Sequence, residues 1–389
     1  PLLRRYGHMR PVLRTKLCEL LGIEYPIILA GMGGVARAEL VAAVSNAGGL
    51  GVIGATGMRP ERLRQEIRKV RDLTDRPFGV DILLPVLPAE MGMVQEEAPQ
   101  GPRRSWRDLL TSEHHQFMAE MWERFRLPPL REDLSRSTLG RDFGPDYIRR
   151  QMEVVLEEGV PVFASGLGNP APFVPELHRS GAKVIALVGN VKNAVRVREG
   201  GADIIVAQGH EAGGHTGRIG TMALVPQVVD AVAPTPVVAA GGIGDGRGLA
   251  AALCLGAVGV WVGTAFLVSE EAHLDPDLKR RILEASEEDT RVTRIYTGKT
   301  ARVINNPLLE EWERRGLPTL PFPYQGGFMA QFLAAARDAG RKELLMNAAG
   351  QVCGMLRQVR PAREIVEEMV AQAVEALSEA LPEGVQFSS

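Results

Sequence analysis

The stretch Asp203-Ile204-Ile205-Val206-Ala207-Gln208-Gly209-His210-Glu211-Ala212-Gly213-Gly214-His215-Thr216-Gly217 decides how this chain is read. Its first part is a continuous apolar run. A strand without polar alternation is buried on both faces, as in a parallel sheet covered by helices. Its second part is nearly bare backbone around an imidazole, a group that titrates near neutral pH. Outward from this stretch, similar apolar runs recur at 26–30, 51–54, 78–83, 160–164, 183–187, 236–240 and 258–262. Helix-length segments lie between most of them, at 37–47, 60–73, 145–158, 172–180, 190–199, 222–232 and 246–255. Eight strand–helix units in about 240 residues predict an α/β fold of the (β/α)8 barrel type, with a doubly wound open sheet as the alternative.

Two segments break the rhythm. The first, 85–144 after the third strand, carries Pro88, Pro99, Pro102, Pro128 and Pro129 among many charges. Inside it Phe117, Met118, Met121, Trp122 and Phe125 follow helical spacing, so an amphipathic helix over 111–126 is expected to pack across the barrel mouth. The second, 269–389, reads as helical throughout, with a last helix at 361–381. The expected organisation is a tail over 1–15, a barrel over 16–268 with the insertion at 85–144, and an accessory helical region over 269–389 against the barrel mouth. Gly7-His8-Met9 resembles a tag remnant, which would make Met9 the natural start.

The chain has 389 residues, 45% hydrophobic and 24% charged, with a formal net charge of −2. That balance is ordinary for a globular protein and supplies no basic field for nucleic acid or an anionic membrane. No apolar run is long enough to span a bilayer. Three widely spaced cysteines, Cys18, Cys254 and Cys353, argue against a disulfide framework and for a reducing, cytoplasmic setting. The expected partner is a small-molecule substrate, with a homodimer left open. Glycine is enriched: 43 residues are about 11% of the chain, against about 7% on average. Many stand where strands end.

In a parallel barrel those C-terminal strand ends carry the active site, and the last two strands commonly hold phosphate. Gly241-Gly242-Ile243-Gly244-Asp245-Gly246 follows the seventh strand, and Gly263-Thr264 follows the eighth. Both offer backbone N–H groups to phosphate oxygens, and the helix expected after Asp245 would add its N-terminal dipole. Gly31-Met32-Gly33-Gly34 lacks the G-x-G-x-x-G spacing of a dinucleotide fingerprint, so a mononucleotide such as FMN fits better. Its ring would lie near Ala30-Gly31-Met32, with Asp81 and Gln208 as polar neighbours. His215 is the candidate proton-transfer residue. Histidines five apart around Gly213-Gly214 do not make the helical zinc motif, so no metal is expected, and His210 reads as structural or peripheral. His114-His115 reads as solvated surface.

Taken together, 26–32, 78–84, 208–217, 241–245 and Gly263-Thr264 resemble the nitronate monooxygenase (2-nitropropane dioxygenase) family, whose superfamily includes FMN-dependent enoyl-acyl-carrier-protein reductase. In the tail, Thr297-Gly298-Lys299-Thr300-Ala301-Arg302 and Ala349-Gly350-Gln351 add to the likeness. The resemblance implies FMN in a barrel, with the family's active-site histidine at His215. It implies flavin contacts at Ala30, Gly31, Met32, Gln208, Gly213, Gly214, Gly241, Gly242, Gly263 and Thr264. Many relatives have asparagine where this chain has Asp81, and a basic residue some carry after the fifth strand is absent from Leu187-Val188-Gly189-Asn190. The function implied is oxidation of alkyl nitronates or nitroalkanes with O2 to a carbonyl compound and nitrite. The alternatives are an NAD(P)H-dependent reductase of enoyl thioesters or quinones, and a phosphate-binding barrel enzyme without flavin.

Overall fold

The computed structural model describes residues 12–84, 109–129, 145–322 and 324–380. The expected tail up to residue 11, and the parts of the 85–144 insertion at 85–108 and 130–144, lie outside them. Eleven strands run in chain order among the described residues: β1 (Ile27–Leu29), β2 (Gly51–Gly54), β3 (Phe78–Leu83), β4 (Val162–Leu167), β5 (Lys183–Val188), β6 (Ile204–Gln208), β7 (Gly214–His215), β8 (Val237–Ala240), β9 (Val260–Val262), β10 (Thr290–Thr293) and β11 (Ala301–Ile304). Eight of them form one parallel sheet in the order β1-β9-β8-β6-β5-β4-β3-β2. A parallel bridge between Ile28 and Leu50 joins its two edges, so the sheet closes as a (β/α)8 barrel. All eight anticipated strands are present.

Closure explains the unbroken apolar runs. Successive side chains point to opposite faces of a strand. Ile27, Leu29, Val80, Ile205, Ala207, Val260 and Val262 pack outward against the helices. Ile28, Val52, Ala164, Ile185, Val206, Val238 and Trp261 fill the interior. The helix Lys16–Leu21 plugs the N-terminal end with Leu17, Cys18 and Leu21. A fully buried leucine of this kind contributes about 1.5–3 kcal/mol. The same alternation turns Asp81, Gln208 and Ala240 inward at the C-terminal ends.

The outer helices also follow the expected pattern. In Pro60–Leu73, proline occupies the first turn, where no N–H is needed, and Leu63, Glu66, Ile67 and Val70 make the buried stripe. Glu66 is buried because it works: its carboxylate accepts the Ala38 N–H at 2.9 Å, at the start of the neighbouring helix Ala38–Asn46. Only the short helix Thr264–Leu267 follows β9 directly. The outer layer is completed from far along the chain by Ala362–Glu375, which packs on Gly246–Cys254 and Ala38–Asn46.

Three features differ from expectation. The region after 269 is not wholly helical, since β10 and β11 pair antiparallel and β11 pairs with β7. These strands are four residues long and mix Arg with Thr and Val, too short to leave a period-2 signature. The helix Ser112–Arg124 does not line the cavity at the barrel mouth. Its Phe117 and Met121 join Trp312, Phe328 and Phe332 in a separate aromatic core, with Phe117 edge-on to Trp312 at 5.1 Å. His114 is buried rather than solvated: its Nδ1 accepts the Thr111 N–H at 3.2 Å, so its Nε2–H donates to the Pro318 carbonyl at 2.9 Å. His115 is exposed as expected. Among the described residues no helix is long and apolar enough to cross a membrane. The three cysteines are free.

Candidate active site

At the C-terminal ends of the barrel strands lies a cavity of about 420 Å³, a size common for small-molecule and cofactor sites. Ala30, Gly31 and Met32 reach it from the β1 end, Asp81 from β3, Gln208 from β6, and Gly213, Gly214 and His215 from the loop and strand beyond. Gly241, Gly242 and Ile243 face it after β8, and Gly263 and Thr264 after β9. The thirteen residues expected to hold the flavin or move the proton therefore border one space, while Gly244, Asp245 and His210 do not.

The two glycine-rich turns are open. The N–H groups of Gly242, Ile243 and Thr264 find no acceptor among the described residues. Gly241 has φ +89°, and a Cβ there would stand 2.8 Å from the Gly209 carbonyl oxygen, so only glycine fits. The Thr264 hydroxyl oxygen accepts the Gly350 N–H at 2.9 Å, which leaves its proton free to donate. One expectation fails here. The N-terminus of Gly246–Cys254 is already spent, because Asp245 caps the N–H groups of Arg247 and Gly248 and the Gly246 N–H donates to Gln372 Oε1. An anion at this end would meet the turn, not the helix.

His215 sits in β7, pinned by two elements. The Gln208 side-chain amide donates to its carbonyl at 2.7 Å, and β11 pairs Ala301 with His215 and Arg302 with Gly214. The buried Arg302 guanidinium spans from the His210 carbonyl to the Thr290 hydroxyl, stitching the start of the loop to the accessory sheet. His210 itself is structural, with Nδ1 at 2.8 Å from the Gly217 carbonyl. The His215 Nε2 lies 3.1 Å from the Thr297 hydroxyl, which is also within hydrogen-bond distance of the Lys299 carbonyl and N–H. If the hydroxyl proton goes to that carbonyl, every donor is satisfied with Nε2 protonated and Nδ1 left as the acceptor. Burial, with the Lys299 ammonium adding to it, pushes the imidazole down to about 4, so it is neutral at neutral pH.

Asp81 is the second buried ionisable group. The Gly166 N–H donates to its Oδ1 at 2.7 Å, and no charged side chain acts on it among the described residues. Burial therefore pushes its carboxyl up to about 7. It also explains Gly31, where a Cβ would lie 2.2 Å from the Asp81 Cβ. Glu211 borders the cavity too, but its carboxylate is committed to the Thr221 N–H at 3.0 Å.

The sequence reading missed several wall residues. Trp261 faces inward by strand parity and could have been found that way. Thr297, Met346, Asn347 and Ala348 come from the accessory region, where no periodic signal marks them. Among the described residues no three His, Cys, Asp or Glu side chains gather as metal ligands.

Comparison with known proteins finds relatives along nearly the whole chain. A family profile described as nitronate monooxygenase matches residues 14–372. A Mycobacterium tuberculosis protein with a provisional monooxygenase description is 40% identical over 379 residues, covering 94% of this chain and 98% of its own. The solved nitroalkane oxidase of Streptomyces ansochromogenes superposes with TM-score 0.77 at 32% identity, covering 94% of this chain and 99% of that one. FabK from Thermotoga maritima does so with TM-score 0.74 at 33% identity, covering 96% and 100%.

Proposed function

This chain belongs to the nitronate monooxygenase family and is an oxidoreductase, and from that premise we propose that it binds FMN and oxidises alkyl nitronates to a carbonyl compound and nitrite. The observation that carries the reading is a neutral, buried imidazole beside a cavity edged by two turns with free N–H groups. The turns Gly241-Gly242-Ile243 and Gly263-Thr264 fit the phosphate, and Ala30, Gly31, Met32, Asp81 and Gln208 would border the ring. When bound, FMN would supply electron transfer from the nitronate and onward to dioxygen.

The chain's own part is binding, orientation and proton control. A neutral His215 can donate to, or accept from, a nitro group without adding charge. Its low basicity bears on substrate form. Relative to an ordinary histidine at 6.5, an imidazole held at about 4 has about 3 kcal/mol less affinity for a proton. Taking a proton from a neutral nitroalkane is therefore the harder task, and a preformed nitronate the easier substrate. The Lys299 ammonium, 5.6 Å from the centre of the Phe322 ring and without a carboxylate partner among the described residues, favours an anion nearby.

The FabK likeness supports a second reading, an NAD(P)H-dependent flavin reductase. Anaerobic mixing of the purified, flavin-loaded protein separates the two. A nitronate should bleach the flavin bands rapidly while NADH and NADPH leave them unchanged. Rapid bleaching by a pyridine nucleotide with indifference to nitronate would overturn the nitronate reading. Protein that releases no flavin on denaturation and takes up none would overturn both.

A further inference from the structure

Asp81 stands apart from every other carboxylate described: it is 4% exposed, faces the cavity, and has no cation to pair with. One oxygen is held by the Gly166 N–H, and the other has no protein partner among the described residues. The strands beside it, β2 and β4, and the turn Ala30–Ala36 present no ionisable side chain. Across the cavity stand His215, which is neutral, and Glu211, which is engaged with Thr221; neither touches Asp81. A buried carboxylate with one hydrogen bond and no countercharge is costly, and protonation removes the cost.

We propose that Asp81 serves the cavity as a proton-bearing hydrogen-bond donor, its carboxyl O–H donating to an acceptor atom of the bound flavin, so that flavin affinity weakens when this group ionises. The inference rests on the flavin reading above. Burial alone already pushes the carboxyl up to about 7. An acceptor placed against its free oxygen favours the protonated form further, because only that form can donate. The neutral donor also keeps negative charge away from a reduced flavin and an anionic substrate, both of which a carboxylate would repel.

The test is FMN binding by the whole protein, without substrate, between pH 6 and 9. In the wild type the FMN dissociation constant should rise with pH, approaching tenfold per unit once Asp81 ionises in the free protein and stays protonated in the complex. In D81N, whose amide can donate at any pH, FMN should stay bound and this dependence should vanish. Any contribution from the FMN phosphate is common to both proteins and cancels. A second measurement needs no variant: calorimetry at pH 8 in buffers of different ionisation enthalpy should show close to one proton taken up per FMN by the wild type. Equal pH profiles for wild type and D81N, or no proton uptake, would overturn the proposal while leaving FMN binding intact. Failure of the wild type to bind FMN at any pH in this range would sink the flavin reading itself, and this inference with it.

Discussion

Asp81 and His215 face one cavity from two different regions, and burial treats them in opposite directions. Asp81 belongs to the barrel sheet, where strand parity turns it inward and glycines at 31 and 166 leave it room. His215 belongs to the small sheet that the accessory region completes, where β11 and Gln208 hold its backbone and Thr297 holds its ring. Loss of water disfavours whichever form is charged, so the acid moves up to about 7 and the base down to about 4. The result is a cavity in which His215 is neutral at neutral pH, Asp81 stands near its midpoint, and the Glu211 carboxylate is tied to Thr221. Lys299 adds a positive charge close enough to act on His215.

If the two groups divide the labour this way, the largest effect falls on proton transfer. His215→Asn should leave FMN bound and lower kcat/KM for a neutral nitroalkane by about 10²–10⁴, the usual worth of a positioned acid or base. The same variant should lose less than about tenfold on a preformed nitronate, which needs no proton removed. Steady-state kinetics on the matched pair of substrates checks both. Wild-type turnover of the neutral nitroalkane would remove His215 from the chemistry.

The opposed shifts also predict a compensation in stability. Asp81 has a folded value raised from 3.8 to about 7, so its native form keeps a proton that the unfolded chain releases. Its contribution falls as pH rises across that window. His215 has a folded value lowered from 6.5 to about 4, so the unfolded chain takes a proton that the native form refuses. Its contribution is complete above 6.5 and is lost as pH falls towards 4. Between about 4 and 6.5 the two slopes oppose each other and nearly cancel. D81N should therefore lose up to about 3 kcal/mol relative to the wild type on going from pH 6.5 to 4, and His215→Asn should gain a similar amount over the same range. Urea unfolding of the flavin-free proteins measures this. Parallel profiles for all three would show that the burial argument is wrong.

The contrast between the two regions also marks how far the amino-acid sequence is legible on its own. The barrel announces itself because doubly buried strands need unbroken apolar runs, and because turns at strand ends need glycine. Those two signals locate all eight strands and, together with the family resemblance, thirteen residues that border the cavity. The accessory side is opaque for physical reasons. β10 and β11 are too short for their alternation to stand out, and β7 exists only because β11 lies beside it. His114 reads as surface in a charged segment, yet both its ring nitrogens find partners when Ser112–Arg124 packs on the helix Pro307–Arg315 and the Pro318 carbonyl. Thr297 reaches His215 from 82 residues away in the chain, a pairing that no local pattern encodes.

Thr297 gives the finest test of the comparison, because it belongs wholly to the accessory side. Its hydroxyl is the one side-chain partner of the His215 ring among the described residues, and a net hydrogen bond of this kind is worth about 1 kcal/mol. Thr297→Val keeps the shape and removes the hydroxyl. Turnover of a neutral nitroalkane should fall about tenfold or less, FMN affinity should be unchanged, and Thr297→Ser should restore the rate. A purely structural role would lower thermal stability without that serine rescue of rate. A valine variant that instead loses FMN would mean that Thr297 holds the cavity wall rather than the imidazole. The accessory sheet would then act on the cofactor, and the division between an Asp81 side for the flavin and a His215 side for the proton would fail.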